Sequence, residues 1–255
     1  MSAVERERRG HVEILTINRP EARNAINSDV ATAMSAALDE LAVDDLCWVV
    51  VLTGAGDKAF SAGMDLKAFA SGQGANIIDA NGFAGITRRT FPKPIIAAIN
   101  GSALAGGCEI MLSCDLVVAA DHAKFGIPEV KRGLVAGAGG LVRLPRRLPR
   151  AVALELALTG EPMDAERAAQ LGLVNKVVPG AQLLDEAVAL AELIAANAPL
   201  AVRVSKQVIV ESLDLSEDDA WKLNDTSFGE VMGSADAMEG AVAFAEKRAP
   251  NWQGK

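Results

Sequence analysis

The distribution of short apolar runs constrains the fold of this chain more than any other sequence feature. Continuous apolar stretches at 48–52, 94–99 and 116–120 are typical of strands that are buried on both faces. After Pro179 only helical patterns remain, and they cover Leu183–Ala196, Leu200–Ser212, Glu217–Met232 and Ala235–Lys247. Short strands mixed with helices, followed by helices alone, predict an α/β core with a helical C-terminal region.

Weaker patterns predict the remaining elements. Residues His11 to Asn18 alternate apolar and polar side chains, as a half-buried strand does. Ser28 is predicted to cap a helix from Asp29 to Val43, because apolar side chains recur on one face of that segment. A short strand at Phe125, a last strand over Leu173–Val178 and helices around Ala151–Leu158 and Ala165–Leu171 complete the predicted set.

Charge limits the partners that the chain is expected to have. The 255 residues carry a formal net charge of −8, so nucleic acid is not an expected partner. A phosphate-bearing ligand would have to meet a few specific Lys or Arg side chains. The longest uncharged stretch, 94–108, has 15 residues. A membrane span needs about 20 apolar residues, so we expect no membrane partner.

Cysteine usage predicts a reducing environment. The chain has three cysteines, Cys47, Cys108 and Cys114, with no CxxC pair and no spacing typical of metal ligands. We therefore expect them to be reduced, buried side chains in a cytoplasmic protein that holds no metal.

The first segment that could carry chemistry runs from Ala59 to Lys67, with the sequence AFSAGMDLK. Its small residues and Gly63 would let a ligand approach the backbone closely. Asp65 could cap a helix that begins after it. A purely structural interpretation, a strand–turn–helix connection with a capping Asp, is equally open for this segment alone.

The second segment runs from Asn100 to Glu109, where a glycine pair opens a helix directly after a buried strand. The first N–H groups of a helix have no partner within it and favour an anion or a developing oxyanion. Glu109 follows Gly106 by three residues and lies on the same side of the first turn. A purely structural interpretation is also open. The glycines could allow close packing of the helix on the strand, and Glu109 could interact favourably with the helix dipole from the first turn.

The third segment contains Glu129, which follows a proline in an otherwise apolar stretch, and then the run Gly137–Gly140. A carboxylate in this position is either a solvated loop residue or an acid/base held in a cleft. The glycine run could open another helix. Each feature taken singly is more often structural.

Taken together, the three segments resemble the enoyl-CoA hydratase/isomerase (crotonase) superfamily in order and spacing. Asn18–Ala25 near the start and Glu239–Arg248 near the end support the resemblance, which covers nearly the whole chain. It implies an α/β fold built as a spiral of ββα units over residues 1–195. It also implies a helical oligomerisation region over 196–255 that forms a trimer or a dimer of trimers.

The resemblance implies an acyl-CoA thioester substrate and no separate cofactor, because CoA is part of the substrate. The backbone N–H groups of Met64 and Gly106 would form an oxyanion hole for a thioester enolate. Lys67 and Lys247 would lie near the CoA phosphates, with Lys247 reaching the site of a neighbouring subunit. The other residues implied to bind substrate are Ala22, Arg23, Ala62, Asp65, Leu66, Gly107 and Phe244.

Two glutamates hold the catalytic water in the hydratases of this superfamily, and Glu109 and Glu129 occupy both positions here. Two carboxyl groups in one apolar cleft can divide proton removal and proton delivery between them. The resemblance therefore implies an enoyl-CoA hydratase. Ala105, Ala136 and Met64 depart from the commonest hydratase pattern, but they keep the backbone N–H donors.

Several alternatives stay open at this point. Double-bond isomerisation needs only one glutamate. Residues 71–90, which we expect to shape the acyl pocket, are similar to the crotonobetainyl-CoA hydratase branch, as are the segments 60–67 and 244–252. For that branch, Phe69, Phe83 and Phe91 could contact a quaternary ammonium. Non-catalytic acyl-CoA or RNA binding is opposed by the negative charge and the two glutamates. A serine hydrolase is opposed by the lack of GxSxG and of a suitable histidine among His11 and His122.

Overall fold

The predicted apolar runs form the centre of a six-stranded sheet. The computed structural model describes residues 2–71 and 76–255. Its strands are β1 (Val4–Arg9), β2 (Val12–Ile17), β3 (Val49–Gly54), β4 (Ala59–Ser61), β5 (Ile78–Asp79), β6 (Gly82–Phe83), β7 (Ile95–Ile99), β8 (Ser102–Leu104), β9 (Leu116–Ala120), β10 (Lys124–Gly126), β11 (Met163–Asp164) and β12 (Lys176–Val178). Its α-helices are α1 (Ser28–Val43), α2 (Leu66–Ala70), α3 (Gly106–Met111), α4 (Gly140–Arg147), α5 (Arg150–Thr159), α6 (Ala165–Gln170), α7 (Leu183–Ala195), α8 (Pro199–Ser212), α9 (Glu217–Met232) and α10 (Ala235–Glu246).

Two sheets run along the core of the molecule. The larger has the order β1-β2-β3-β7-β9-β12, in which all neighbours are parallel except the antiparallel pair β1–β2. The smaller has the order β11-β10-β8-β4, in which β4, β8 and β10 are parallel and β11 is antiparallel. A two-stranded antiparallel pair, β5–β6, stands apart from both.

The chain winds through these sheets as a spiral. It passes from β3 to β4 to α2, then from β7 to β8 to α3, and then from β9 to β10. Each turn therefore adds one strand to the larger sheet and one to the smaller sheet. The predicted α/β spiral of ββα units is confirmed.

The central strands are buried on both faces, as their apolar runs predicted. Alternate residues such as Leu15, Val50 and Ala97 pack in a cluster with α1, while the residues between them pack with α7. Because successive side chains of a strand point to opposite faces, a strand covered on both sides must be apolar throughout.

The structure corrects two element predictions and adds an edge strand. The side chain of Asn27, not Ser28, caps α1 by accepting a hydrogen bond from Val30 N–H. The last strand begins at Lys176 instead of Leu173. The edge strand β1 was not predicted, because its side chains are mostly charged and its extended form depends on pairing with β2.

The C-terminal helices α8 to α10 leave large apolar side chains exposed, including Ile209, Trp221, Phe228 and Phe244. The division into 1–195 and 196–255, and the oligomerisation expected of the second part, stay predictions. In the described residues no single helix is long and apolar enough to cross a membrane. One pair of consecutive helical segments, Gly180–Ala195 and Pro199–Ser212, is long and apolar enough when taken together, by length and composition only, and the two are bent by 103° relative to each other.

The three cysteines are free and buried, as the sequence predicted. Burial raises the pKa of each thiol, to about 11 for Cys47 and to about 12 for Cys108 and Cys114. A thiol with so high a pKa stays protonated and is a poor nucleophile.

Candidate active site

A single cleft opens where three parallel strands of the smaller sheet end. Met64 follows the end of β4 by three residues, Gly106 follows β8 by two, and Glu129 follows β10 by three. Because the strands are parallel neighbours, with one register shift between β4 and β8, these three positions meet at one edge of the sheet. The cleft has a volume of about 1120 Å³ and is lined by all three residues and by Glu109.

Two residues that line this cleft, Met64 and Gly106, have backbone N–H groups without a protein acceptor in the described residues. Ile26 forms a parallel bridge with Met64, in which Ile26 N–H donates to Gly63 O (2.8 Å) and Asp65 N–H donates to Ile26 O (2.9 Å). In such a bridge the N–H of the middle residue, Met64, points to the opposite side. Gly106 is the first residue of α3, so its N–H has no partner within the helix. Within the described residues neither N–H donates to another group of the chain.

Gly63 allows these two donors to approach each other. Its φ is +84°, and a Cβ added there would lie 2.7 Å from Gly106 N. Any side chain at position 63 would therefore push the Met64 segment away from the start of α3. Gly106 is itself confined, since an added Cβ would lie 2.6 Å from Cε1 of Phe83 and 3.3 Å from Gly63 Cα.

Ala105 holds an unusual backbone conformation directly before α3, with φ 52° and ψ −130°. A residue with a Cβ rarely adopts a positive φ, and such strain persists only where the surrounding structure imposes it. Here the chain must turn sharply between β8 and α3, and Ala105 N–H donates to Gly126 O at 3.0 Å. The turn places Gly106, the first residue of α3, in the lining of the cleft.

Glu109 is a buried carboxylate held by backbone donors, with a residue exposure of 3%. Its Oε1 accepts hydrogen bonds from Ala138 N–H (2.7 Å) and Gly140 N–H (2.9 Å) at the start of α4. Burial raises the pKa of the carboxyl above its ordinary value, while the N–H groups of Gly140 and Ala138 and the charge of Arg143 act in the opposite direction. Burial thus disfavours the charged carboxylate, while the two N–H donors stabilise it.

Glu129 lies in a very different environment on the same cleft. Its Oε2 is buried and has no hydrogen-bond partner among the described residues. Burial raises the pKa of the carboxyl; its own backbone N–H lowers it, the nearby charge of Glu109 raises it further, and Arg132 lowers it. A buried carboxyl oxygen without a partner favours the protonated form, and it is placed to exchange a hydrogen bond with a molecule in the cleft.

Comparison with known proteins identifies the family that this arrangement belongs to. The enoyl-CoA hydratase/isomerase family matches residues 7–255 of the chain. The chain belongs to the enoyl-CoA hydratase/isomerase family. An enoyl-CoA hydratase from Mycobacterium marinum has 50% sequence identity and a TM-score of 0.96, with 100% of each chain covered.

Two further relatives of this family carry a more specific name. A carnitinyl-CoA hydratase from Mycobacterium avium has 49% identity and a TM-score of 0.81, with 100% of each chain covered. A carnitinyl-CoA dehydratase from Proteus mirabilis has 41% identity over 253 residues, which is 97% of each chain. The predicted family and the prediction that the chain is an enzyme are confirmed.

In this hydratase/isomerase-family chain, most residues expected to bind substrate line the cleft. They are Ala22, Arg23, Ala62, Asp65, Leu66 and Lys67. Asp65 accepts hydrogen bonds from Lys67 N–H and Ala68 N–H and so caps α2, as predicted. Its Oδ2 also pairs with Arg19 at 3.0 Å, which anchors the start of α2 to the segment before α1.

Three of the expected residues lie elsewhere. Gly107 packs against β4, where an added Cβ would lie 2.1 Å from Ser61 O, and it does not line the cleft. Phe244, with 88% exposure, and Lys247 are on the outer end of α10. A role of these two in the cleft of a second copy stays a prediction. Residues 72–75 of the expected pocket wall lie outside the described residues.

The structure also gives site roles that sequence reasoning did not assign. Ala138 and Gly140 hold Glu109, although the run Gly137–Gly140 had been noted only as a helix opening. Phe83 forms part of the cleft wall, next to Gly106. Arg88 and Arg132 also line the cleft, and in the described part of the chain their side chains make no ion pair.

Neither histidine belongs to the site. His11 stacks on Trp48 with ring centroids 3.6 Å apart, and His122 contacts Asp57 O at 3.0 Å in an exposed turn. In the described residues no group of three His, Cys, Asp or Glu side chains is placed to hold a metal ion. Burial raises the pKa of two carboxyl groups on the cleft, those of Glu109 and Glu129.

Proposed function

We propose that this enzyme adds water across the double bond of a 2-enoyl-CoA thioester, or removes it in the reverse direction. The observation that carries the proposal is the meeting of two carboxyl groups, one buried and one half-buried, with two N–H donors in one cleft. The family and the names of the relatives support the substrate class. The mechanism is argued from the geometry of the site.

The thioester carbonyl oxygen would accept hydrogen bonds from Met64 N–H and Gly106 N–H. These donors are preorganised, one by its bridge to Ile26 and the other by the start of α3. As water attacks C3, the C2–C3 electron pair moves towards the carbonyl and negative charge collects on the oxygen. Fixed donors stabilise that enolate, and loss of one such donor typically raises the barrier by about 3–4 kcal/mol.

The two carboxyl groups would divide the proton transfers. Glu109 accepts two backbone hydrogen bonds through Oε1 and is the group with specific support for a negative charge. It would remove a proton from the attacking water. Glu129 has a buried oxygen without a partner and is repelled by Glu109, so it would be protonated and deliver its proton to C2. One proton leaves the water and one reaches C2, so hydroxyl and hydrogen are added in balance.

The CoA part of the substrate, at the end away from the reacting double bond, would lie over α2. Arg23 and Lys67 line the cleft there and make no ion pair among the described residues. The chain as a whole is acidic, so long-range attraction of CoA is weak and local contacts with these cations would have to supply the affinity. These contacts remain equal in the ground state and transition state, so they would act on KM.

Double-bond isomerisation is the less favoured reaction. It shuttles one proton between C2 and C4, and a single carboxyl group suffices for that. Glu109 and Glu129 both line this cleft, and they differ in hydrogen bonding: Glu109 Oε1 accepts two backbone N–H bonds, whereas Glu129 Oε2 has no partner in the described residues. Two complementary carboxyl groups match the demands of hydration.

A substrate with a quaternary ammonium, as in the carnitinyl-CoA named for two relatives, is a second candidate. Of the rings in the described residues, only Phe83 lines the cleft; Phe69 is 58% exposed and Phe91 is buried in the core. The cleft also carries Arg88 and Arg132 without an ion pair in the described chain. One ring does not make an aromatic cage and the two cations repel an ammonium, so we favour an acyl chain without positive charge.

The test of the mechanism uses Glu109→Gln and Glu129→Gln, with Glu166→Gln on the exposed surface of α6 as the matched control. Each site variant is expected to lower kcat for hydration of crotonyl-CoA by at least about a hundredfold, because acid–base groups supply about 10²–10⁴. Circular dichroism should be unchanged in all three. Full activity of either site variant removes that glutamate from the mechanism.

The reaction and the acyl class are tested together by a panel of acyl-CoA thioesters. The panel compares a short uncharged 2-enoyl chain, a 3-enoyl chain and a 2-enoyl chain that ends in a trimethylammonium group. Mass spectrometry should show gain of one water mass with the uncharged 2-enoyl chain as the best substrate. Double-bond migration without water gain would establish the isomerase, and highest kcat/KM for the ammonium thioester would establish the second candidate.

A further inference from the structure

Arg143, on α4, joins two parts of the site without lining the cleft itself. Its Nη2 donates to Thr87 O at 2.6 Å, in the wall of the cleft. Its Nη1 lies over Gly139, where an added Cβ would come within 2.4 Å of it. The guanidinium therefore spans the gap between the segment before α4 and the segment after β6.

The first contact acts on the wall beside the oxyanion donors. Thr87 Oγ1 accepts a hydrogen bond from Phe83 N–H at 2.9 Å. The ring of Phe83 in turn limits the space beside Gly106. Arg143 thus fixes Thr87 through its carbonyl, and Thr87 fixes Phe83 through its hydroxyl. The position of the wall that confines Gly106 depends on this chain of contacts.

The second contact acts on the general base. Gly139 stands between Ala138 and Gly140, the two residues whose N–H groups hold Glu109 Oε1. Its φ of +111° turns both N–H groups towards the same oxygen. A guanidinium packed on Gly139 limits the movement of this turn, and its positive charge favours the ionised form of Glu109.

We infer that Arg143 is a positioning residue that couples the oxyanion wall to the loop that holds Glu109. Building on the hydration mechanism proposed above, Arg143 keeps the distance between the polarised carbonyl and the base constant. A planar guanidinium with several N–H donors suits this task, since it can donate to one segment while it packs on the other. An ammonium group on a flexible stem cannot meet both segments in fixed geometry.

The test compares Arg143→Met with the matched control Arg146→Met. Arg146 lies on the same helix but pairs with Asp214 in an exposed salt bridge. Arg143→Met is expected to lower kcat by about ten- to hundredfold, because small errors in placement are costly, and to change KM by no more than about twofold. The control should keep both constants at the wild-type values.

The pH dependence separates this role from simple destabilisation. Glu109 must be ionised to act as base, so kcat falls as pH drops through its pKa. Loss of the positive charge of Arg143 raises the pKa of Glu109 and moves this acidic limb to higher pH. Carbon-13 NMR of the glutamate carboxyl groups, assigned with Glu109→Gln, should show the same rise without any turnover.

Arg143→Lys serves as a second variant that keeps the charge, so the inference is still tested if the Met variant does not fold. It should lower kcat while leaving the titration of Glu109 near that of the wild type. If Arg143→Met matches Arg146→Met in kcat and in the titration, or if the Lys variant has wild-type kcat, the coupling role is wrong. If wild-type hydration does not depend on Glu109, the proposed mechanism fails instead, and the NMR titration still decides the effect of Arg143 on Glu109.

Discussion

Replacing Ala105, whose backbone is strained, by glycine should increase the stability of the protein, whereas glycine substitutions usually decrease it. Ala105→Gly should stabilise the protein, because glycine adopts a φ of 52° with a ψ of −130° without a steric penalty. Strain of this kind costs about 1–3 kcal/mol. Glycine also increases the conformational freedom of the unfolded chain, which costs about 0.4–1 kcal/mol. The expected gain in the free energy of unfolding is therefore about 1 kcal/mol.

The assay is urea unfolding followed by circular dichroism at one fixed protein concentration, with thermal unfolding as a second measurement. A gain of about 1 kcal/mol corresponds to a rise in Tm of about 2–4 °C in a chain of this size. The control is Ala36→Gly, an exposed position inside α1, where glycine should destabilise by about 1 kcal/mol. Equal destabilisation by the two substitutions would refute the argument that the turn before α3 is strained.

Further predictions concern the rest of the site and the assembly. Gly107→Ala places a Cβ 2.1 Å from Ser61 O, so it should lower the urea midpoint strongly and abolish hydration, as unfolding curves and a turnover assay would show. Burial raises the pKa of Glu129, so ionisation of this carboxyl group destabilises the folded state at a pH above that pKa. Glu129→Gln should therefore raise the urea midpoint at pH 8. This increase in the midpoint should vanish below about pH 4, where Glu129 is protonated in both the folded and the unfolded state. Lys67→Ala should raise KM for an acyl-CoA but barely change kcat, and the effect should shrink with a pantetheine thioester; unchanged KM would exclude the phosphate contact. Lys247→Ala should likewise raise KM, but only if the chain forms an oligomer in which Lys247 reaches the cleft of a neighbouring subunit. Light scattering should then show a trimer or hexamer at micromolar concentration, and a monomer would contradict the expectation.

Local sequence patterns were sufficient for most of the secondary structure. The helix Glu217–Met232 was predicted with the bounds that the structure shows, since Ser216 caps it and apolar residues recur at helical spacing. The buried strands followed from their continuous apolar runs. The edge strand β1 did not, because Arg6 and Arg8 face outward to pair with Glu13, Glu40 and Asp44, and no periodic apolar pattern marks it.

The residues of the site were visible as separate segments, but their chemical environments were not. Met64, Gly106 and Glu129 each follow a short strand, and a reader of the sequence can place each on a turn. Their meeting in one cleft depends on the parallel pairing of β4, β8 and β10. That pairing is a long-range property, and no local pattern specifies which strand ends become neighbours.

The sequence alone determined the buried strands, the long helices, the glycine-rich turns and the presence of two candidate glutamates, because these depend on side chains near one another in the chain. Only the tertiary structure decided how the two glutamates differ. Glu109 meets N–H groups that lie about thirty residues further along the chain, and Glu129 keeps one buried oxygen without a partner in the described residues. Burial and hydrogen bonding are set by all the segments that pack around a group. The protonation state of a carboxyl group is therefore a property of the fold and cannot be read from its neighbours in sequence.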